Sequence, residues 1–395
     1  MKPRPHQIEG AEWVLSTLRK YGLAYLAWQE RSGKSLTALL TVENSKAKRC
    51  LILTKKKAIN GWEETLKMFP HSKKYVVGNY ESAHKLTEEF DLIILDEAHH
   101  AISGFPRPSK TWKTVRKLTK GKALLYLSAT PYAENLGLIY HQLKLSDWSP
   151  FKSYRNFYEW FRMYGINKMV RTPYGLIETY SKYKDELILK EVEHLFNFKT
   201  RSDVGIEYEP AFQLIKVPLS EKSKEWIEKL LKDEMVVINS QEIVCDSLMK
   251  KAMVHYQLEL GAVRNSNGCI YLNTDEKANY IKEHYDPEQT VIMAHFICER
   301  DRLKQVLPDF TILSAESYSE GIDLSHIDKL VFTSTSFKTS KFTQRLSRQA
   351  NHKRNKPIVV DILYCDKPAI GLKVVDAVAL KKENFDKNSY ERYAI

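Results

Sequence analysis

Leu92-Ile93-Ile94-Leu95 is an unbroken run of four large aliphatic residues, closed at once by Asp96-Glu97. Such a run reads as a short strand buried on both faces, as in a parallel sheet covered by helices; a strand with one wet face would alternate. The two carboxylates then emerge at the carboxyl edge of the sheet, where open α/β sheets bind their ligands. Adjacent carboxylates suit two tasks: one holds a divalent cation, the other orients and deprotonates a water molecule. An isolated Asp-Glu pair is more often a solvated acidic turn, so the catalytic reading needs a partner elsewhere in the chain.

Ala27-Trp28-Gln29-Glu30-Arg31-Ser32-Gly33-Lys34-Ser35 provides one. Its close, Gly33-Lys34-Ser35, has the chemistry of a phosphate-binding loop. The glycine lets the backbone approach phosphates, the lysine neutralises β/γ oxygens, and the serine hydroxyl reaches magnesium. Leu23 to Ala27 reads as a strand before it, and Leu36, Leu39 and Leu40 mark a helix after it whose first turn favours anions. The first glycine of the general pattern falls on Trp28, which is a departure. Upstream, Ile8, Ala11, Leu15 and Leu18 space out the inner face of a helix. Just before them, Gln7 carries an amide able to pair with both donor and acceptor on an adenine edge; the plainer reading is a surface glutamine.

Strand and helix alternate through the first 130 or so residues, which implies a doubly wound parallel sheet. Cys50 to Thr54 is a second buried strand, ending in Lys55-Lys56-Lys57, either a solvated turn or a grip on a phosphate backbone. Ala123 to Leu127 is a third, ending in Ser128-Ala129-Thr130-Pro131. Residues 151–184 concentrate aromatic and basic side chains. A helix packed on the first domain accounts for the aromatics, and the surplus charge of Arg155, Arg162 and Arg171 points to a nucleic-acid groove. Past residue 210 the strands Thr290–Ala294, Phe310–Leu313, Lys329–Phe332 and Pro357–Leu363 outline a second α/β sheet without a phosphate loop. A helix is expected over 241–262, and another from Ile370 towards Phe385.

The composition bounds the partners. With 61 basic against 49 acidic residues in 395, the net charge of +12 suits an acidic polymer. Five cysteines (Cys50, Cys245, Cys269, Cys298 and Cys365) show no Cys-x-x-Cys spacing. They are therefore expected to be reduced thiols, with no zinc site or disulfide framework. No apolar run is long enough to cross a membrane, and a cytoplasmic location is expected (the host cytoplasm if phage-encoded).

Gly-Lys-Ser, then Asp-Glu-Ala-His, then Ser-Ala-Thr, each after a buried strand, resembles a superfamily-two helicase. Arg4-Pro5-His6-Gln7, Gly61-Trp62-Glu63 and Asn79-Tyr80-Glu81 bring the resemblance nearest to Swi/Snf-type DNA translocases and short phage-encoded DEAD/DEAH-type helicases. Two later segments join it. Ser319-Glu320-Gly321-Ile322-Asp323-Leu324 resembles the nucleotide-sensing segment, and Gln344-Arg345-Leu346-Ser347-Arg348 the arginine-finger segment, with Ser347 in place of glycine and Asn351 where a second arginine is expected.

The resemblance implies two RecA-like doubly wound parallel-sheet domains in tandem, α/β in class, with a helical, aromatic and basic insert. The expected bounds are 1–148, an insert or linker over 149–210, a second domain over 211–366 and a bracing helix and tail over 367–395. It implies ATP and Mg2+ in a cleft between the domains, DNA as partner ahead of RNA, and a chain that is monomeric when free. Lys34, Asp96, Glu97 and Arg348 are the expected catalytic residues, with Ser35 and Asp96 on the metal. Gln7, Arg31, Ser32, Gly33, Ser35, Gly321, Asp323, Gln344 and Arg345 are expected around ATP. Thr54, Lys55, Tyr80, Ser128, Thr130, Arg155, Arg162, His295 and Phe296 are expected on nucleic acid. The function implied is a DNA helicase or duplex translocase. An ATP-gated clamp with weak hydrolysis and the motor subunit of a restriction complex are the alternatives.

Overall fold

The computed structural model describes residues 2–132, 135–172, 175–205, 211–314, 327–337 and 359–381, together with Phe342 and Tyr390. It divides into two units, Met1–Gly205 and Ile206–Ile395.

In the first unit, α1 (Pro5–Tyr21), β1 (Leu23–Trp28), α2 (Lys34–Glu43), β2 (Arg49–Thr54), α3 (Ile59–Met68), β3 (Lys74–Asn79) and β4 (Leu92–Asp96) follow in order. Then come α4 (His99–Ile102), α5 (Lys110–Thr119), β5 (Ala123–Leu127), α6 (Leu138–Leu143), α7 (Phe157–Tyr164), β6 (Lys168–Thr172), β7 (Gly175–Thr179), α8 (Asp185–Val192) and β8 (Phe196–Lys199). Six strands form one parallel sheet in the order β3-β2-β4-β5-β1-β8. The apolar runs are buried on both faces because the pleat sends alternate residues to opposite cores. Tyr25, Leu53, Ile93, Leu95 and Tyr126 enter one core. Leu26, Trp28, Ile52, Ile94 and Leu127 enter the other, under α1, α2 and α3.

The aromatic stretch belongs to this unit. Phe151, Phe157, Trp160, Phe161 and Tyr164 are buried in the same core as β4 and β5, and β8 returns to the sheet beside β1. The stretch is not wholly helical, since β6 and β7 form an antiparallel hairpin within it. The inner face of α1 also differs from expectation. Gln7, Gly10, Ala11, Val14 and Thr17 are buried, while Ile8 is exposed. The cause is a close approach: a Cβ on Gly10 would lie 2.5 Å from the Trp28 ring, so this face alone can seat against β1.

The second unit runs through β9 (Ala211–Lys216), α9 (Glu221–Asp233), β10 (Met235–Ile238), β11 (Gln241–Val244), α10 (Leu248–Leu258), β12 (Ala262–Asn265), β13 (Gly268–Tyr271) and α11 (Glu276–His284). It continues with β14 (Thr290–Ala294), α12 (Ile297–Val306), β15 (Thr311–Ser314), β16 (Lys329–Phe332) and β17 (Val359–Tyr364). Its parallel sheet has the order β15-β14-β16-β17-β9, again with a core on each face. A helix Gly371–Val375 follows and is continued by a π turn, Asp376–Leu380; Phe385, expected on the same helix, lies outside the described residues.

Two expectations are corrected here. The stretch 241–262 opens as a strand, not a helix, because Asn239 and Ser240 adopt φ 50 and 62 and close a two-residue hairpin between β10 and β11. Cys269 on β13 and Cys298 on α12 are joined in a disulfide, against the expectation of reduced thiols throughout. Their separation of 29 residues carries no local motif, and only the packing of the hairpin on α12 brings them to a Cα distance of 5.4 Å. Cys50, Cys245 and Cys365 are free and buried. Among the described residues no helix is long and apolar enough to cross a membrane.

Candidate active site

The loop between β1 and α2 is built around Gly33. Its φ is +89, and a Cβ there would lie 2.1 Å from Gln7 Nε2, so only glycine fits. Gln7 is 5% exposed, which excludes a surface glutamine. Its Oε1 accepts from the Arg4 N–H at 2.9 Å, and its Nε2 donates to the Gly33 carbonyl at 3.4 Å. An adenine read by both ends of this amide would have to replace those partners. Trp28 fills the place of the pattern's first glycine as the last residue of β1, fully buried, its indole donating to Asn197 Oδ1 at 2.6 Å. Ser32 turns inward and donates to the Gln29 carbonyl at 2.7 Å. Arg31 is exposed with φ 65.

Lys34 Nζ donates to the carbonyls of Trp28 and Gln29 at 2.7 and 3.0 Å. These oxygens occupy donors that would otherwise serve phosphate. Burial lowers the lysine's pKa, while Glu97, Glu30 and Asp96 favour its charged form.

Asp96 closes β4. Its Oδ2 accepts from Thr54 Oγ1 at 2.8 Å and Trp62 Nε1 at 2.9 Å, and its carbonyl accepts from the Tyr80 hydroxyl at 2.9 Å. The carboxylate is therefore fixed on one side by neutral donors. Its carboxylate and the Ser35 hydroxyl at the head of α2 are both oxygen donors, the ligand type a hard divalent cation such as Mg2+ takes. Thr54 and Tyr80, expected on nucleic acid, are 0% and 1% exposed; they brace Asp96 from behind. Helical spacing places Trp62 on the inner face of α3 and gives no signal of its polar role.

Glu97 follows with φ 50, its N–H donating to the Leu127 carbonyl at 2.8 Å. This left-handed turn is uncommon for a residue with a side chain and marks a local constraint. Ser128 Oγ lies 3.2 Å from both Glu97 Oε2 and His99 Nδ1, and the Thr130 N–H donates back to it at 3.0 Å. Ser128 is fully buried, so it links Glu97 to the loop after β5 instead of facing a polymer. Burial, with Asp96 beside it, pushes the Glu97 carboxyl up to about 7, while Lys34 and Lys55 pull the other way. Burial takes His99 down to about 3 and keeps it neutral.

One sheet edge thus gathers Lys34, Asp96, Glu97 and Ser128, with Gln7 under the loop between β1 and α2. Lys55, Arg155 and Arg162 are exposed on the first unit. In the second, His295 and Phe296 are half-buried after β14, the His295 N–H donating to Ser334 Oγ at 2.8 Å. Gly321, Asp323, Gln344, Arg345 and Arg348 lie outside the described residues.

Residues 60–133 match the family model described as "Type III restriction enzyme, res subunit". Two solved structures are similar over nearly the whole chain. The Sulfolobus solfataricus SWI2/SNF2 ATPase core in complex with dsDNA has 15% identity, covers 97% of this chain and 92% of its own, and has a TM-score of 0.45. The Pyrococcus furiosus Hef helicase domain has 13% identity, covers 92% of this chain and 96% of its own, and has a TM-score of 0.50. No curated protein matches the sequence. The motif order and the tandem parallel sheets agree: the chain resembles a superfamily-two helicase, and its fold is that of a helicase core.

Proposed function

We propose that this relative of superfamily-two helicases hydrolyses ATP at the carboxyl edge of its first sheet and couples hydrolysis to movement along DNA. The observation that carries the reading is geometric: one sheet edge gathers Lys34, Asp96 held by Thr54 and Trp62, and Glu97 held by Ser128, and burial that raises the Glu97 carboxyl supports it. A base tuned towards neutral pH is what a water-activating residue requires.

In this mechanism Lys34 leaves the Trp28 and Gln29 carbonyls for the phosphates, a short-range exchange of acceptors. Ser35 and Asp96 would hold Mg2+, which would supply charge neutralisation at the phosphoryl oxygens. Glu97 accepts the proton of the attacking water, and Ser128 relays its state to the Thr130 backbone. Arg348 is proposed as the cation that stabilises the transition state, as an arginine finger does. Catalysis is then positioning and electrostatics. The charge of +12 and the exposed Lys55, Arg155 and Arg162 support a polyanion as the track.

The match over residues 60–133 favours one further reading, the motor subunit of a restriction complex. It requires a nuclease partner that co-purifies with the chain and cleaves DNA only when ATP is turned over. The deciding experiment measures ATP turnover with no polymer, single-stranded DNA, duplex DNA, branched DNA and RNA, followed by strand displacement on the best activator. Turnover indifferent to every polymer refutes the motor. Lys34→Ala and Glu97→Gln are expected to lower turnover by roughly 10²–10⁴, with Glu97→Gln still binding ATP.

A further inference from the structure

Next to Asp96 lies a cluster of side chains with a different ligand chemistry. Glu97, His99 and His100 each offer a ligand atom, and these atoms lie within 4.8 Å of one another. The left-handed turn at Glu97 puts its carboxylate on the same side as the two imidazoles, so that Glu97 Oε2 is 3.6 Å from His99 Nδ1. The two imidazole rings are 3.9 Å apart between centroids. His99 is 8% exposed, and its Nε2 is buried with no hydrogen-bond partner. The ring thus keeps one nitrogen open to a ligand while Nδ1 meets Ser128. His100 is exposed and puts the cluster at the solvent boundary, where water is at hand to complete an ion's shell.

We propose that Glu97, His99 and His100 form an inhibitory site for a borderline divalent cation of the Zn2+ class, separate from the magnesium position at Asp96 and Ser35. Two imidazoles and one carboxylate select Zn2+, Co2+ or Ni2+, whereas an all-oxygen set selects Mg2+. The two sites share a segment and divide its carboxylates. An ion held by Glu97 withdraws the base while leaving Asp96 for the nucleotide-bound magnesium. The inhibitory consequence rests on the reading of Glu97 as the base; the site itself does not.

The test titrates Co2+ into the full chain without nucleotide and follows the visible absorption that an imidazole-carboxylate site gives it. One equivalent is expected to bind. His100→Ala should weaken binding by at least about tenfold, and Ser35→Ala should leave it unchanged. His100 is exposed, and a thermal melt confirms that the variant folds. In the presence of Mg2+, Zn2+ should inhibit ATP turnover of the unaltered chain, and His100→Ala should keep the basal rate while raising the inhibiting concentration by a similar factor. Unchanged Co2+ binding in His100→Ala, or loss of the absorption in Ser35→Ala, overturns the site. Absence of turnover in every sample would count against the proposed function alone, because the Co2+ spectrum is read without ATP.

Discussion

At the edge of the first sheet, Glu97 and Asp96 stand side by side, and burial leaves the Glu97 carboxyl raised to about 7. In the second unit a cluster of one lysine and two carboxyls, the carboxyls likewise raised by burial, is hydrogen-bonded at every charged group. Glu299, 1% exposed, accepts from Thr333 Oγ1 at 2.6 Å, Ser334 Oγ at 2.5 Å and the Phe296 N–H at 3.2 Å. Lys277 donates to Glu259 Oε1 and the Thr333 carbonyl, both at 2.8 Å, and Glu259 Oε2 accepts from the Gly371 N–H at 2.9 Å. Lys277 Nζ has a carboxylate partner where Lys34 Nζ has only loop carbonyls. Charges left mismatched are available for chemistry, whereas charges matched in place fix a loop. The first cluster therefore reads as a site and the second as scaffold for the segment after β16.

Substitution should separate them by sign. Lys277→Met leaves Glu259 buried without its cation and is expected to cost about 3–5 kcal/mol, read as an early unfolding transition in denaturant. Glu97→Gln should act in the opposite direction. A carboxyl whose folded pKa is raised binds protons more tightly in the folded than in the unfolded state. It therefore carries no penalty below its ordinary value of 4.5, and stability is lost as pH rises from there through about 7. At pH 8 the amide should stabilise the chain by at most about 3 kcal/mol and flatten stability against pH over that window. The same group predicts that kcat/KM for ATP rises with pH to an apparent value near 7. A Glu97→Gln protein less stable than the parent at pH 8 would break the comparison.

Charge on the exposed face offers a gentler test of the first unit. Reversing Arg155 and Arg162 together should leave basal turnover intact and lower its stimulation by DNA. The slope of log affinity against log salt should become shallower by about 0.9 for each phosphate that these residues cease to neutralise. An unchanged slope would remove them from the track.

What the sequence discloses is the position of a residue along a strand; what it hides is direction. The aliphatic runs from Leu23 to Ala27 and Leu92 to Leu95 disclose a sheet covered on both faces, because no other element needs such runs. They also disclose that Thr54, Asp96 and Ser128 share an edge. They leave undetermined that Thr54 and Ser128 point at the carboxylates, which depends on the neighbouring strand. The burial of Tyr80 is hidden for the same reason. The face of α1 is obscured because Gly10 and Gln7, neither apolar, are the buried residues, fitted to Trp28 and Gly33. The β10–β11 hairpin lacks the glycine that marks most two-residue turns, and the Cys269–Cys298 pairing exists only once the chain has packed.

Arg31 gives the smallest and most local test. It holds φ 65 in the loop between β1 and α2 without being glycine, a conformation that costs an L residue roughly 1–2 kcal/mol. Arg31→Gly removes that strain but widens the unfolded ensemble, so the net gain in stability is expected to be under about 1 kcal/mol. Its effect on ATP distinguishes two roles for the side chain. If Arg31 serves only the turn, KM for ATP is unchanged. If its guanidinium meets the phosphates, KM rises while Arg31→Lys restores part of the loss. Scaffold and site are thereby separated at a single residue, by whether nucleotide affinity follows the side chain or the backbone.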